Sequence, residues 1–340
     1  MEKLFFLLSG EHPELPAGEV KAILEAHGLE YRVVESRDQL LILEAPQEAC
    51  EIVARRAALC FNCGRVLFES RAEWESILES ARGAPWNLIE GKSFAVRVKR
   101  VKGSAPQIGS QDLQRLLGDL ALRYADTKVS LEKPDVVVQA ILTEDVLVAG
   151  MVLATVDKKQ FLERRPRGRP FFHPGVLSPK ASRVFVNLAR ACPGELLLDP
   201  FCGTGGFLIE AAMIGCTPIG VDIDERMVKG ALRNMRFYEL EGELLRGDAR
   251  KLPFTKVDAI ATDPPYGRSA STKRTPLPEL YRDFLEETAG VLPSKSYLVV
   301  AAPSDLDVEK LAALAGFRIM EKYSVRVHKS LTRVLYVLVR

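Results

Sequence analysis

Hydrophobic and polar positions in the second half of the chain predict a strand, a turn and a helix in direct succession. The apolar residues 196–198 run into Asp199 and a glycine-rich turn, and an apolar helix begins near Gly206. A strand that is apolar at every position predicts burial on both faces, as in a parallel sheet. This order of elements is typical of the start of a doubly wound α/β domain.

The residues that follow continue this pattern to the end of the chain. Strands and helices alternate, and the chain closes with two extended runs that have no helix between them. Further strands are predicted over residues 217–222, 243–248, 257–263, 297–302, 317–327 and 331–339, and helices over residues 226–238 and 280–292; another predicted helix, over residues 181–191, precedes the first strand. A closing hairpin places an antiparallel strand at or near the sheet edge. The pattern predicts a seven-stranded, Rossmann-like sheet of the type associated with methyl transfer from S-adenosylmethionine.

The first half of the chain has the mixed pattern of α+β structure. Residues 1–60 alternate strand and helix signals, and a second unit follows from Trp86 onward. In its first strand, residues 93–101, apolar positions alternate with Arg97 and Lys99, so one face is predicted to be core and the other basic. The basic face is either an ordinary solvated surface or a contact surface for RNA.

A basic segment joins the two halves. Residues 158–169 show neither a helical nor a strand period, and they hold a single acid among basic and aromatic side chains. Each contact of such a segment with a nucleic-acid phosphate adds a salt-sensitive increment to binding. A plain solvated linker is the alternative. The basic residues are Lys158, Lys159, Arg164, Arg165, Arg167 and Arg169.

Composition agrees with a folded protein of more than one domain. The chain has 340 residues, of which 47% are hydrophobic, and a formal net charge of +2. These values suit two or three domains with cores of ordinary size. No apolar run reaches the roughly 18 to 20 residues that span a bilayer, so we expect a cytoplasmic protein. Cys60 and Cys63 lack further ligands at zinc spacing, which leaves free thiols or a disulfide and predicts no metal site.

Four of the predicted strands end in an acid, namely Asp199, Asp222, Asp248 and Asp263. The carboxyl ends of parallel strands meet at one sheet edge, where α/β folds bind ligands. Asp222 lies 19 residues after Gly203, where a carboxylate suits the two ribose hydroxyls of an adenosine. We expect Asp248 to meet the adenine amino group. Asp199 is better placed near a methionine amine, or it braces the glycine turn.

The glycine turn itself narrows the choice of cofactor. Gly203 and Gly205 let the backbone turn sharply and approach a ligand closely. A dinucleotide-binding fingerprint requires a third glycine where Leu208 stands, which argues against NAD. Cys202 in the same loop has no base nearby in the sequence, so we interpret it as a packing residue.

The segment Asp263-Pro-Pro-Tyr-Gly267 closes the fourth predicted strand. Each proline disfavours the helical region for its predecessor, so Asp263 and Pro264 are held extended at the strand end. The Asp263 carboxylate and the Pro264 carbonyl are then placed to accept the two N–H groups of an aromatic amine. That grip favours the pyramidal, electron-rich nitrogen that attacks a sulfonium methyl. Tyr266 is expected to stack on the base, and a proline-rich turn without chemistry is the alternative.

With these motifs, the chain resembles the THUMP-containing, S-adenosylmethionine-dependent tRNA guanosine-10 N2-methyltransferases, especially the archaeal branch. The resemblance rests on Asp199-Pro-Phe-Cys-Gly-Thr-Gly-Gly206, Gly220-Val-Asp-Ile-Asp224, Gly247-Asp248, Asp263-Pro-Pro-Tyr-Gly267 and Pro179-Lys-Ala-Ser-Arg-Val-Phe-Val-Asn-Leu188. It implies a ferredoxin-like domain (residues 1–60), a THUMP RNA-binding domain (61–156), a basic linker (157–180) and a methyltransferase domain (181–340). It also implies transfer of one or two methyl groups to N2 of guanosine 10 in tRNA. Some relatives require a small activating partner protein.

Three other functions stay open at this point. Related enzymes methylate guanine N2 at other tRNA positions or in ribosomal RNA, and some DNA adenine methyltransferases share Asp-Pro-Pro-Tyr. A nicotinamide oxidoreductase accounts for the glycine turn and Asp222, but not for the Asp263-Pro-Pro-Tyr segment. A non-catalytic RNA-binding adaptor accounts for the basic segments, but it needs no acids at the strand ends.

Overall fold

The computed structural model of the chain describes residues 1–266, 275–328 and 331–340. These residues form two compact units, the first built from most of residues 1–157 and the second mainly from residues 158–340. Each unit is organised around one β-sheet. Within the described ranges, no helix has the length and apolar character needed to cross a membrane.

The first unit contains eight strands and most of four helices. The strands are β1 (Glu2–Leu8), β2 (Arg32–Arg37), β3 (Leu40–Ala45), β4 (Cys60–Arg71), β5 (Ser93–Arg100), β6 (Lys128–Val129), β7 (Val136–Thr143) and β8 (Val146–Thr155). The helices are α1 (Leu15–Ala26), α2 (Glu48–Arg56), α3 (Trp74–Arg82) and α4 (Ser110–Tyr124), with a 3₁₀ turn at Trp86–Ile89. The strands form one sheet in the order β2–β3–β1–β4–β8–β7–β5–β6.

Strand β4 and helix α3 are elements that the sequence pattern did not reveal. Strand β4 pairs with β1 on one side and with β8 on the other. Its pairing with β8 shifts register between Cys63 and Gly64 and between Val66 and Phe68, which breaks the alternation of buried and exposed positions. The two domains predicted for residues 1–60 and 61–156 therefore share one sheet through β4. Their predicted boundary, near residue 60, stays a prediction.

The second unit contains a seven-stranded sheet in the order β11–β10–β9–β12–β13–β15–β14. Its strands are β9 (Leu196–Asp199), β10 (Thr217–Asp222), β11 (Glu243–Arg246), β12 (Ala259–Thr262), β13 (Tyr297–Pro303), β14 (Arg318–His328) and β15 (Leu331–Val339). The first five strands in this order run parallel, and β15 pairs antiparallel with both β13 and β14. The predicted Rossmann-like sheet with an antiparallel terminal hairpin is confirmed.

Three of the six described helices of the second unit begin at a side chain that caps the first turn. The helices are α5 (Lys159–Glu163), α6 (Pro179–Leu188), α7 (Gly206–Ala212), α8 (Glu225–Phe237), α9 (Leu277–Val291) and α10 (Val308–Leu314). The capped helices are α6, α8 and α10. The Ser178 hydroxyl accepts from Ala181 N at the start of α6, and Asp224 accepts from Arg226 N at the start of α8. Asp224 was predicted as this cap, whereas α10 was not predicted.

The basic segment after residue 157 is more structured than its sequence suggests. It contains α5 and a 3₁₀ turn over Pro166–Gly168, although its sequence shows neither a helical nor a strand period. Phe161 is only 2% exposed and anchors α5. A helix of five residues is too short to give a readable period, which explains why the sequence pattern did not reveal it.

Candidate active site

The turn after β9 is shaped by two glycines with left-handed backbones. Gly203 has φ of +49° and Gly205 of +81°, a region that side chains disfavour. A Cβ atom on Gly205 would lie 3.1 Å from the Cβ of Ala231, so the turn packs closely on α8. Gly203 N donates to Asp222 Oδ2 at 3.0 Å, which ties the turn to the end of β10.

Leu208, which stands where a dinucleotide site has glycine, packs against the neighbouring strand. A Cβ atom on Gly220 of β10 would lie 2.5 Å from Leu208 Cδ1 and 3.1 Å from Cys202 Cβ. The close contact between helix and strand is therefore achieved by a glycine on the strand. Cys202 is 4% exposed, and burial raises the pKa of its thiol well above the ordinary range, as expected for a packing residue.

Asp222 connects the turn after β9 to the loop after β10 through its carboxylate. Oδ2 accepts from Gly203 N, and Oδ1 accepts from Asp224 N at 2.9 Å. Burial raises the pKa of Asp222, although these backbone donors favour its ionised form. Each carboxylate oxygen keeps capacity for one more donor. The predicted contact with ribose hydroxyls is compatible with this geometry and stays a prediction.

Asp199 is a fully buried carboxyl group with one oxygen unused. Oδ1 accepts from the Thr262 hydroxyl at 2.7 Å and from Phe201 N at 3.2 Å. Among the residues that the structure describes, Oδ2 has no hydrogen-bond partner. Burial raises the pKa of Asp199 to about 8, and the Asp222 and Asp263 carboxylates also act to raise it. Three of the four predicted acids therefore lie close enough to interact, and the free Oδ2 suits the ammonium group of a methionine-type cofactor.

Asp248, the fourth acid, is held by a neighbour along the chain. Its carboxylate accepts from Arg250 N at 3.1 Å, from Nε at 3.0 Å and from Nη2 at 2.7 Å. The Arg250 guanidinium lowers the pKa of this carboxyl, which is consequently ionised at neutral pH. An adenine amino group would have to share Asp248 with Arg250, and the predicted contact stays a prediction.

The Asp263 carboxylate has two partners within the second unit. The Tyr266 hydroxyl donates to Oδ1, and the Arg333 guanidinium pairs with Oδ2 at 3.1 Å. Burial raises the pKa of Asp263, whereas Arg333 and Tyr266 lower it. Tyr266 thus occupies Asp263 in this structure, whereas stacking on a base was predicted for a bound complex. Pro264 is buried, and Gly267 lies outside the described residues.

Arg333 is a site residue that the sequence analysis missed. It lies on β15 and is 8% exposed, and its guanidinium carbon is 5.3 Å from the centre of the Tyr266 ring. An arginine within a mostly apolar strand, Leu331–Val339, was the available signal. Its partner could not be identified, because Asp263 is 70 residues away along the chain.

Two arginines of the basic segment were assigned to RNA wrongly. Arg164 is 5% exposed and donates through Nε and Nη2 to Glu210, at 2.8 and 3.0 Å. Arg183 Nη2 reaches the same carboxylate at 2.8 Å. Arg169 is 5% exposed and donates to the Arg164 carbonyl at 3.2 and 3.0 Å. Arg164 binds protein because the fully buried Glu210 carboxylate needs compensating donors, and Arg169 is buried against the main chain of Arg164.

The other basic residues predicted to bind RNA lie nearer the surface. Lys159, Arg165 and Arg167 are exposed, and Lys158 is half-buried. In the first unit, Arg97 on β5 is exposed and Lys99 is half-buried. RNA contacts at these six positions stay predictions. None of the six cysteines, all of which lie among the described residues, forms a disulfide in the structure, and this includes Cys60 and Cys63.

Comparison with known proteins identifies the family of the chain. An RMKL-like methyltransferase domain matches residues 166–334, and a THUMP domain matches residues 71–149. The tRNA (guanine(10)-N2)-dimethyltransferase of Methanothermobacter thermautotrophicus is 39% identical over 340 residues, which cover 99% of each chain. That of Pyrococcus abyssi is 35% identical and covers 96% of each chain. The structure of TrmN from Thermus thermophilus has the same fold, with a TM-score of 0.56 and 24% identity over 100% of both chains. The chain therefore belongs to the tRNA (guanine(10)-N2)-dimethyltransferase family.

Proposed function

We propose that this chain transfers methyl groups from S-adenosylmethionine to the N2 amine of guanosine 10 in tRNA. The observation that carries the proposal is the shared edge of β9, β10 and β12, where the carboxyls of Asp199, Asp222 and Asp263 lie close enough to affect one another's ionisation. Two of these acids suit a cationic cofactor, and the third is part of the Asp263-Pro-Pro-Tyr segment. Family membership supports the base and its position.

The residues present fit the cofactor. The unused Asp199 Oδ2 suits its ammonium group, Asp222 suits the ribose hydroxyls, and Gly203 leaves the backbone uncovered beside it. When bound, S-adenosylmethionine supplies an electrophilic methyl group on its sulfonium sulfur. A bound ammonium group favours the ionised form of Asp199, and ionised acids make this edge favourable for a positively charged ligand.

At the base, Asp263 and Pro264 act on the amine nitrogen. The Asp263 carboxylate and the Pro264 carbonyl accept its two N–H groups, which orients the nitrogen lone pair toward the methyl group. The entering amine replaces the Tyr266 hydroxyl at Asp263 Oδ1, and the released ring stacks on the base. After transfer, the nitrogen carries an extra proton, and Asp263 is the nearest base to accept it.

We assign tRNA binding to the first unit and to the exposed part of the basic segment. Lys159, Arg165 and Arg167 are the exposed cations of that segment. Phosphate contacts of this kind position RNA without reading its sequence. The target base must leave its stack to reach Asp263. We expect the nucleotide to be selected by its distance from the part of the tRNA that the first unit binds.

The test is transfer of radiolabelled methyl groups to unmodified tRNA, followed by nucleoside analysis. We expect N2-methylated guanosine at position 10, with one or two methyl groups. A tRNA with adenosine at position 10 should not be methylated there, and a tRNA without its 3′ single-stranded end should be a poorer substrate. Equal methylation of the adenosine variant would refute the base assignment, and an unaffected trimmed tRNA would refute selection by distance.

Two further experiments separate the alternatives. A thermal shift with S-adenosylhomocysteine but not with NADH is expected, and the reverse result would favour an oxidoreductase. Activity of the purified chain alone would show that the small activating partner required by some relatives is dispensable here. Restoration of activity only by an added partner protein would show that it is required.

A further inference from the structure

Arg333 brings a hydrogen-bond donor without a described partner, Nε, to the methylation site. It lies opposite Pro303 in the pairing of β15 with β13, and its side chain is 10% exposed. One donor, Nη2, is used on Asp263. Among the described residues, the buried Nε has no hydrogen-bond partner. An unmade hydrogen bond at a buried charged group is unfavourable, which points to a ligand that completes it.

The shape of the guanidinium group limits where such a ligand atom would lie. A guanidinium carries five N–H donors in one rigid plane. The ion pair with Asp263 is made by one of its nitrogen atoms, Nη2. The Nε donor, which has no described partner, is held near the Asp263 carboxylate because the guanidinium is rigid. An acceptor atom next to a group bound at Asp263 is therefore the atom that Arg333 is placed to contact.

We infer that Arg333 reads O6 of the guanine whose N2 amine is methylated. This rests on the proposed function and adds the origin of its base selectivity. The Watson–Crick edge of guanine carries the N2 amine and N1–H donors, followed by the O6 acceptor. The Asp263 carboxylate accepts from the two donors, and Arg333 donates to O6. Adenine, with its amine at Asp263, places the N1 acceptor against the second carboxylate oxygen and has no O6.

The test uses tRNA with 6-thioguanosine at position 10. This base keeps the N2 amine and N1–H, and it replaces only O6 by sulfur, a weaker acceptor. For the unsubstituted enzyme, we expect kcat/KM to be about tenfold lower on 6-thioguanosine than on guanosine. In Arg333→Met, kcat/KM on guanosine should fall. The two bases should then be methylated with about equal kcat/KM.

Three measurements make the outcome decisive. Tyr266→Phe removes the other partner of Asp263 and leaves Arg333 in place, so any change in activity should be equal on both bases and the preference should be kept. Arg333→Lys keeps a positive charge at Asp263 but lacks the planar guanidinium, so it should also lose most of the preference for guanosine. It provides a second variant if Arg333→Met does not fold. A thermal shift with S-adenosylhomocysteine checks folding.

The inference is overturned if both Arg333 variants keep the tenfold preference, because Arg333 would then only orient Asp263. It is also overturned if the unsubstituted enzyme does not distinguish the two bases. Failure of the unsubstituted enzyme to methylate guanosine 10 at all would instead refute the proposed function.

Discussion

The guanidinium of Arg164 donates through Nε and Nη2 to the two carboxylate oxygens of Glu210, at 2.8 and 3.0 Å. Glu210 is fully buried on α7, the helix that follows the glycine turn. The ion pair therefore connects the basic segment to the helix that follows the glycine turn. Arg165, the next residue, is exposed, so two adjacent arginines in the same charged run have different roles.

This difference predicts opposite results for Arg164→Ala and Arg165→Ala. Removing Arg164 leaves the buried Glu210 carboxylate with Arg183 as its remaining cation, so the free energy of unfolding should fall by about 3 kcal/mol. Removing Arg165 should change it by less than about 0.5 kcal/mol. Denaturant unfolding of both variants is the measurement. Equal stability of the two would contradict the structural assignment of Arg164.

A second prediction concerns the salt dependence of tRNA binding. Neutralising Arg165 and Arg167 together should weaken tRNA binding. For each phosphate that is no longer neutralised, the slope of log K against log salt should become shallower by about 0.7 to 0.9. Affinity for S-adenosylhomocysteine should stay the same, which serves as the control. An unchanged slope would show that this segment is an ordinary solvated surface.

A third prediction is that replacing Asp222 and replacing Asp263 have different effects. Asp222→Ala should weaken cofactor binding by roughly 1 to 3 kcal/mol, because hydrogen bonds to a partly buried polar ligand are removed. Asp263→Ala should abolish methyl transfer and change cofactor affinity by only a few fold, because this acid is assigned to the base. Calorimetric titration with S-adenosylhomocysteine measures both affinities. Equal reductions of affinity would refute the two assignments.

The buried Asp199 predicts a pH dependence of stability. Burial raises the pKa of Asp199 from 3.8 to about 8 in the folded protein, so between these values the folded state keeps a proton that the unfolded chain releases. The contribution of this group to stability is complete below the unfolded pKa and declines as the pH rises to about 8. The decline is at most about 1.4 kcal/mol per pH unit.

Asp199→Asn is the matched control, because asparagine keeps the shape of the side chain but does not titrate. As the pH rises from about 5 to about 8, the unfolding free energy of the unsubstituted protein should fall by more than that of the variant. Other buried carboxyls contribute to both proteins and cancel in the comparison. Parallel curves would show that Asp199 is ionised in the folded state.

The sequence alone determined the architecture of the second unit and its chemical motifs. The apolar residues of β9, the cap Asp224 and the alternation of elements depend on neighbours within a few positions, so local patterns reveal them. The four acids were identified for the same reason, because each follows a readable strand. Strand β4 was not predicted, because its alternation is broken by register shifts that depend on its partner β8.

Only the tertiary structure decided which charged groups are buried and what they contact. Arg164 and Arg165 have the same local signature, and burial separates them because Glu210, 46 residues away along the chain, lies against one of them. Arg333 reaches Asp263 because β15 pairs antiparallel with β13. Such ion pairs join residues that are distant in sequence, and the free energy of burying a charge depends on the whole surrounding packing. Local pattern carries no information about that packing.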